Sequence, residues 1–349
     1  MRVLITGGAG YIGSHAAKEV ARRGHTVVVL DNLSTGHRWA AKSGPFIEGD
    51  VGDTSLVQDT LSCYGIDLVM HFAAHAYVGE SMANPRKYFR NNVVNALALF
   101  DAMLQAGVRR VVFSSTCATY GVPESVPITE GAPQHPINPY GESKLFVEKM
   151  LAWYGKAYGL KSVALRYFNA AGADPEGELG EAHDPETHLI PLVLDAAAGA
   201  RKFVDIYGTD YATADGTAVR DYIHVSDLAR AHLAAAEYLL GGGETVALNL
   251  GTGHGYSVRE VVASVERVSE HLVPVREMAR RPGDPPVLVA QPTKAKSVLG
   301  WSSVETGLDE IVRTAWDWHQ SGAKQAALLD GAWQTGSEEH SIGLSEARV

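Results

Sequence analysis

Apolar, mostly β-branched residues come in short runs at 3–5, 26–30, 68–72, 111–113 and 162–166, and longer amphipathic stretches lie between them. Strands this short, alternating with helical pattern, predict repeated βαβ units and a parallel sheet covered on both faces. Near Gly172 the rhythm changes, as Gly, Pro, Asp and Glu collect over residues 173–185, and a domain boundary is expected there. A helical pattern over 221–240 and an apolar run at 246–250 then return the chain to the first unit. The expected class is α/β: a doubly wound parallel sheet from residues 1–172 with a return segment near 221–251, and a smaller mixed α/β unit from 173–220 and 252–318. Beyond Trp318 the chain is rich in Ala, Gly, Ser and Glu without periodicity, which predicts a loosely held tail over 319–349.

The 349 residues are 46% hydrophobic and 20% charged, enough to bury one large core or two smaller ones. Lys and Arg number 30 against 40 Asp and Glu, a net charge of -10 that argues against a nucleic-acid partner, since such a surface repels a phosphate backbone. Cys63 and Cys117 are too few for a disulfide framework. The chain opens directly into a strand and a glycine turn, and no apolar run approaches spanning length, so a cytoplasmic protein without a membrane partner is expected.

The first strand runs into Thr6-Gly7-Gly8-Ala9-Gly10-Tyr11-Ile12-Gly13, and residues 14–23 read as a helix. Glycines here let the backbone turn tightly and approach a pyrophosphate, whose charge then faces the helix N-terminus. Asp31 closes the next strand at the offset where a carboxylate accepts hydrogen bonds from the adenosine ribose and repels a 2′-phosphate. A Rossmann-type site for NAD rather than NADP is the reading, with a turn cap as the alternative for Asp31. Asp50, at another strand end, is either an adenine contact or a cap.

Pro139 suits a helix start, and Tyr140 and Lys144 then lie one turn apart on one face. Ser114, Ser115 and Thr116 end a strand at the carboxyl edge, where open α/β sheets bind ligands. A Tyr base working near pH 7 needs its pKa lowered by about 3 units, roughly 4 kcal/mol. A Lys about 5 Å away would supply on the order of 3 kcal/mol at an effective dielectric near 20.

These residues, with His71-Phe72-Ala73-Ala74, Val78-Gly79-Glu80-Ser81, Asn91-Asn92-Val93, Arg166-Tyr167-Phe168-Asn169 and the run from Val219 to Val225, resemble the extended short-chain dehydrogenase/reductases, and within them the UDP-galactose 4-epimerases. The match runs from Met1 to about Trp318. The resemblance implies NAD held by Gly7, Gly10, Tyr11, Ile12, Gly13, Asp31, Asn32, Asp50, Val51, Phe72, Ala73, Ala74, Asn91, Ser114, Tyr140, Lys144 and Tyr167. It implies Tyr140 as the base on the 4-hydroxyl of a UDP-sugar, with Thr116 on the same oxygen and Lys144 beside them. By the same likeness Phe168, Asn169, His188, Leu189, Tyr207, Arg220, Arg281 and Asp284 hold the substrate. Without it, Arg220 and Arg281 read as surface salt-bridge partners. A homodimer built from helices around 86–105 and 140–158 is also implied.

The chain departs from the pattern at Ala76, where many relatives carry Lys, at His188, where Asn is common, and at a gate position read as Leu288. UDP-N-acetylhexosamine and UDP-pentose therefore stay open as substrates. A dehydratase would need an Asp-Glu pair after Thr116, where Cys117-Ala118 stand. A non-catalytic NAD sensor is the alternative from another class. The histidines at 71, 75, 188 and 224 show no metal-ligand spacing, and no metal is expected.

Overall fold

In each strand of the central sheet, alternate side chains go to opposite faces, and both faces are buried. Val3, Ile5, Val27, Val29, Met70, Val112, Val163 and Leu165 belong to one core, while Leu4, Val28, Leu30, Val69, Val111 and Phe113 belong to the other. That two-sided burial is why the runs are apolar throughout rather than alternating. The computed structural model describes residues 1–281, 284–304 and 307–321.

Seven parallel strands form the sheet: β1 (Arg2–Thr6), β2 (Thr26–Asp31), β3 (Phe46–Glu48), β4 (Leu68–His71), β5 (Arg110–Thr116), β6 (Lys161–Tyr167) and β7 (Val246–Leu250). Their spatial order is β7-β6-β5-β4-β1-β2-β3, so the winding reverses between β1 and β4. In an open α/β sheet that reversal leaves a crevice at the carboxyl ends. On one face lie α1 (Tyr11–Arg22) and a helix at Val225–Leu240, which pack on each other. On the other lie α2 (Thr54–Cys63), α3 (Asn95–Gln105) and α4 (Pro139–Tyr158).

A separate apolar cluster joins α5 (Leu189–Ala197), α6 (Val258–Ser269) and α7 (Leu308–Gln320). α6 begins with a capping box, Ser257 and Glu260 each bonding the other's backbone N–H, and its apolar residues Val261, Val262 and Val265 face this cluster. Short strands connect the cluster to the sheet edge. Asn169–Ala171 pairs with Tyr222–His224, and Val219–Arg220 pairs with both Tyr256–Ser257 and Val287–Leu288. Asp221, fully buried, accepts from the backbone of Thr252, Gly253 and Ala290 and so ties these loops together.

The first residues of the stretch expected as a tail are helical. His319 and Gln320 belong to α7, and His319 is held by Asp195 at 2.7 Å, because helical packing continues past Trp318 onto Trp39, whose ring stacks at 5.5 Å. Residues 322–349 lie outside the described residues. Among the described residues no helix is long and apolar enough to cross a membrane.

Candidate active site

The glycine turn sits at the carboxyl end of β1. Gly7 has φ +73, and an added Cβ would lie 2.5 Å from the backbone of Ala73; one on Gly13 would lie 2.2 Å from the Gly7 carbonyl. Only glycine fits either place. Gly10 ends the turn as the N-cap of α1 without a side-chain acceptor, and the first turn of that helix holds no acid. The positive end of α1 therefore faces a cavity lined by Gly10, Tyr11, Ser14, Thr35 and His37 with no carboxylate of its own. These features fit a dinucleotide pyrophosphate. A Gly13→Ala chain should consequently retain far less NAD through purification, measured as nucleotide released per chain on denaturation.

Asp31 is buried and accepts from the backbone N–H of Ala9 at 3.0 Å and of Leu33 at 2.8 Å. Burial raises its pKa, and the two N–H bonds oppose the rise. The carboxylate thus braces the glycine turn, as a cap would, with lone pairs left for a ribose. Asp50 likewise caps its own turn, accepting from Gly52 N, and also takes the side-chain amides of Asn32 and Asn95 at 2.8 Å. Val51 is buried, Ile12 packs on the core under the turn, and Ala73 and Ala74 follow β4 half-buried. Tyr11 donates to the Gly172 carbonyl at 2.5 Å, and Phe72 packs its ring 4.5 Å from that of His232.

Of the two neighbouring asparagines it is Asn92, not Asn91, that is buried. It bonds the His75 carbonyl and Ser143 Oγ and accepts from His75 N, which fixes the loop after β4 against α4. Asn91 is half-buried and donates to Asn92. Two adjacent amides look alike in sequence, and only the face of the helix decides between them.

Asn138 caps α4 by accepting from Gly141 N at 2.8 Å, and Pro139 follows at the first helical position. Gly141 is required by closeness, since a Cβ would lie 2.5 Å from the Ala118 carbonyl. This packing sets the start of α4 against the end of β5, so that the Tyr140 phenol neighbours the Thr116 hydroxyl. Thr116 also caps the turn that follows it, accepting from Ala118 N at 3.1 Å. Lys144 is buried, donates to the Ser114 carbonyl at 2.8 Å and sits 5.0 Å over the Phe113 ring. Ser114 Oγ and Tyr167 Oη lie 2.5 Å apart beside it.

The electrostatics correct one expectation. Part of Tyr140 reaches solvent, yet enough protein surrounds its phenol that burial, followed by Tyr167, pushes its pKa well above the ordinary value, against the Thr116 hydrogen bond. Lys144 itself is pushed down to about 7 by burial, with Glu148 opposing. A lysine at helical spacing therefore does not by itself make this tyrosine a base, because the same enclosure that brings the two together removes water from both.

Behind the pair stands a group that the sequence reading missed. Arg166 and Glu148, both buried, form an ion pair; Ser115 donates to Glu148, and Tyr120 bridges Arg166 to Asn249. The signal was present in the spacing, since Glu148 follows Lys144 by one further turn.

The residues assigned to a substrate form two groups. Phe168 lies buried with Cys117, Tyr120 and Ile128, with Leu288 packed on them, and Asn169 starts the next strand. Arg220 makes an ion pair with Asp284, while Arg281 lies 4.0 Å over the Tyr207 ring. Asp284 and Arg281 line one cavity with Tyr211 and Arg280. Leu189 opens α5, and Ala76 is exposed. His188 directs Nδ1 at Glu181 and Glu186, beside His183, a residue the histidine spacing left out.

Comparison with known proteins accords with this geometry. Residues 3–251 match the model of the NAD dependent epimerase/dehydratase family. A UDP-glucose 4-epimerase from Rhizobium leguminosarum bv. trifolii is 53% identical over 91% of this chain and 97% of its own. The crystal structure of UDP-glucose 4-epimerase from Brucella ovis in complex with NAD is 56% identical, with a TM-score of 0.89 over 90% of this chain and 97% of that one. That from Bifidobacterium longum, in complex with NAD+ and UDP, is 40% identical, with a TM-score of 0.87 over 91% and 98%. With a family match over most of its length and close relatives along nearly all of it, this chain belongs to the NAD-dependent epimerase/dehydratase family.

Proposed function

We propose that this chain interconverts UDP-galactose and UDP-glucose by inverting carbon 4 of the sugar. The observation that carries the reading is the meeting of the Tyr140 phenol and the Thr116 hydroxyl at the carboxyl edge of β5, with Lys144 one helical turn along α4. Two hydroxyls meeting there can hold a third, the 4-hydroxyl of a hexose, between them. Bound NAD would supply reversible hydride acceptance and, when oxidised, a positive charge.

Tyr140 takes the proton of the 4-hydroxyl and later returns it. Burial favours its neutral form and so favours the return; removal needs positive charge close by, part of which Lys144 supplies while protonated. Thr116 Oγ keeps the 4-oxygen at the phenol in both halves. The Ser115–Glu148 and Lys144–Ser114 bonds hold α4 against β5, and the Arg166–Glu148 pair ties it to β6, which fixes the distance the proton travels. Gly7, Gly10, Gly13 and Asp31 would hold the dinucleotide, with Phe72, Asn91 and Tyr167 along its nicotinamide half. Asn169, Leu189, Tyr207, Arg220, Arg281 and Asp284 would take UDP. Guanidinium forks suit a diphosphate, and Arg220 would exchange its Asp284 partner for phosphate oxygens. In this reading residues 1–172 with the segment near 221–251 form the cofactor unit, and 173–220 with 252–318 form the nucleotide-sugar unit.

Purified chain given UDP-galactose should form UDP-glucose without added oxidant or reductant. Absence of conversion while NAD is bound would overturn the reading in favour of a sensor. A panel adding UDP-N-acetylgalactosamine and UDP-arabinose, compared by kcat/KM, ranks the sugars.

The same reading includes a homodimer. Val94, Leu97, Phe146, Trp153 and Tyr158 are exposed apolar residues on and beside α3 and α4, and Trp153 is 67% exposed. A surface of this kind on two adjacent helices suits a second copy of itself. Light scattering should give twice the chain mass, and Trp153→Asp should shift it toward the monomer. Cys63 and Cys117 are both free thiols, in keeping with a reducing, cytoplasmic setting.

A further inference from the structure

Between Gly172 and α5, four side chains turn toward one point: Glu181, His183, Glu186 and His188 each offer one ligand atom, and these atoms lie within 4.8 Å of one another. Both imidazoles present Nδ1, at 2.9 Å (His183) and 2.7 Å (His188), to the same oxygen, Oε1 of Glu181. His188 Nδ1 also lies 3.1 Å from Glu186 Oε1, and His183 Nδ1 lies 3.9 Å from Glu186 Oε2. Four ligands at about 2.0–2.2 Å around a tetrahedral ion stand roughly 3.4 Å apart, so the observed spacings bracket that value and each donor needs to move by less than about an ångström.

The chemistry of the set is specific. Two carboxylates and two imidazoles share this point, and Glu181 is 8% exposed. The ion pairs of Glu181 and Glu186 among the described residues are with these histidines. The neighbouring acidic group is different. Asp174, Glu176 and Glu178 already surround the ammonium of Lys18 at 2.7, 2.7 and 2.9 Å and need no ion. Two nitrogens and two oxygens suit zinc rather than magnesium or calcium, which prefer all-oxygen shells. Aromatic rings border the cluster: Tyr11 stands 6.2 Å from the His183 ring, and Tyr77 stands 5.9 Å from His183 and 6.5 Å from His188.

We propose that Glu181, His183, Glu186 and His188 form a structural site for one zinc ion. The ion fastens the segment 173–188 to the glycine turn, through Tyr11, and to the loop after β4, through Tyr77. It takes no part in proton movement at Tyr140, and it would hold His188 as a ligand rather than as the substrate contact that the resemblance implies.

The test uses the full chain, stripped with a chelator and dialysed against Zn2+ or Co2+, with metal counted by mass spectrometry. One ion per chain is expected, Co2+ should give the visible bands of a four-coordinate site, and zinc should raise the melting temperature. His183→Ala and Glu181→Gln should each weaken metal binding at least tenfold. If Glu181→Gln does not fold, His183→Ala, whose ring is partly exposed, carries the comparison. Equal metal content in wild type and the variants, Co2+ without those bands, or magnesium bound as tightly as zinc would each overturn the site and leave histidine–carboxylate ion pairs alone.

Discussion

Replacing Tyr140 with Phe is expected to lower kcat about a thousandfold or more, a barrier increase of roughly 4 kcal/mol, while NAD content and fold are kept. The substitution removes one oxygen. Thr116 Oγ keeps the Ala118 N–H at 3.1 Å whether or not the phenol oxygen is there, so it is not left without a partner. The loss should therefore fall on the proton transfer and leave KM within a few-fold. Thr116→Val tests the other hydroxyl. Near-normal turnover in the Phe variant would remove Tyr140 from the chemistry.

The second large effect is expected from Lys144→Met. Its amine is the partner of the Ser114 carbonyl and belongs to the residue one helical turn after Tyr140, so kcat should fall about a hundredfold, roughly 3 kcal/mol. Stability should respond differently from activity. Burial lowers this lysine from its ordinary value near 10.5 to about 7. Between those values the unfolded chain binds the proton and the folded chain does not, so wild-type stability rises as pH increases through this window and is lost again toward pH 7. Methionine cannot titrate. The melting temperature of the variant relative to wild type should thus be highest near pH 7 and decline toward pH 10, and a difference independent of pH would contradict the burial of a titrating amine.

How much of this was legible in the sequence depends on whether the deciding contacts were local. The strands of the sheet were legible because burial on both faces leaves uninterrupted apolar runs. The glycine turn, Asp31 and the Tyr140–Lys144 spacing were legible because each is a short-range pattern with a backbone reason. Asp50 was left open between cap and ligand, and the structure supplies the cap contacts. The tertiary partners were not legible. Arg220 and Asp284 are 64 residues apart and meet only because short strands bring their loops together. Glu181 to His188 lie in a stretch with neither helical nor strand period, so neither spacing rule brings them into register. The burial that raises the Tyr140 pKa was not legible for a related reason. A charge pair can be inferred from spacing, whereas desolvation depends on everything packed around it.

The central claim is that Tyr140 and its neighbours hold one sugar carbon while its hydrogen leaves and comes back within a closed site. UDP-galactose carrying deuterium at carbon 4 tests it directly. The account predicts UDP-glucose with the deuterium still on carbon 4, at unchanged isotopic content and with no net oxidation of the sugar pool. Product that has lost the label to solvent would contradict it, because the hydrogen would then have exchanged as a proton and the inversion would run by another route.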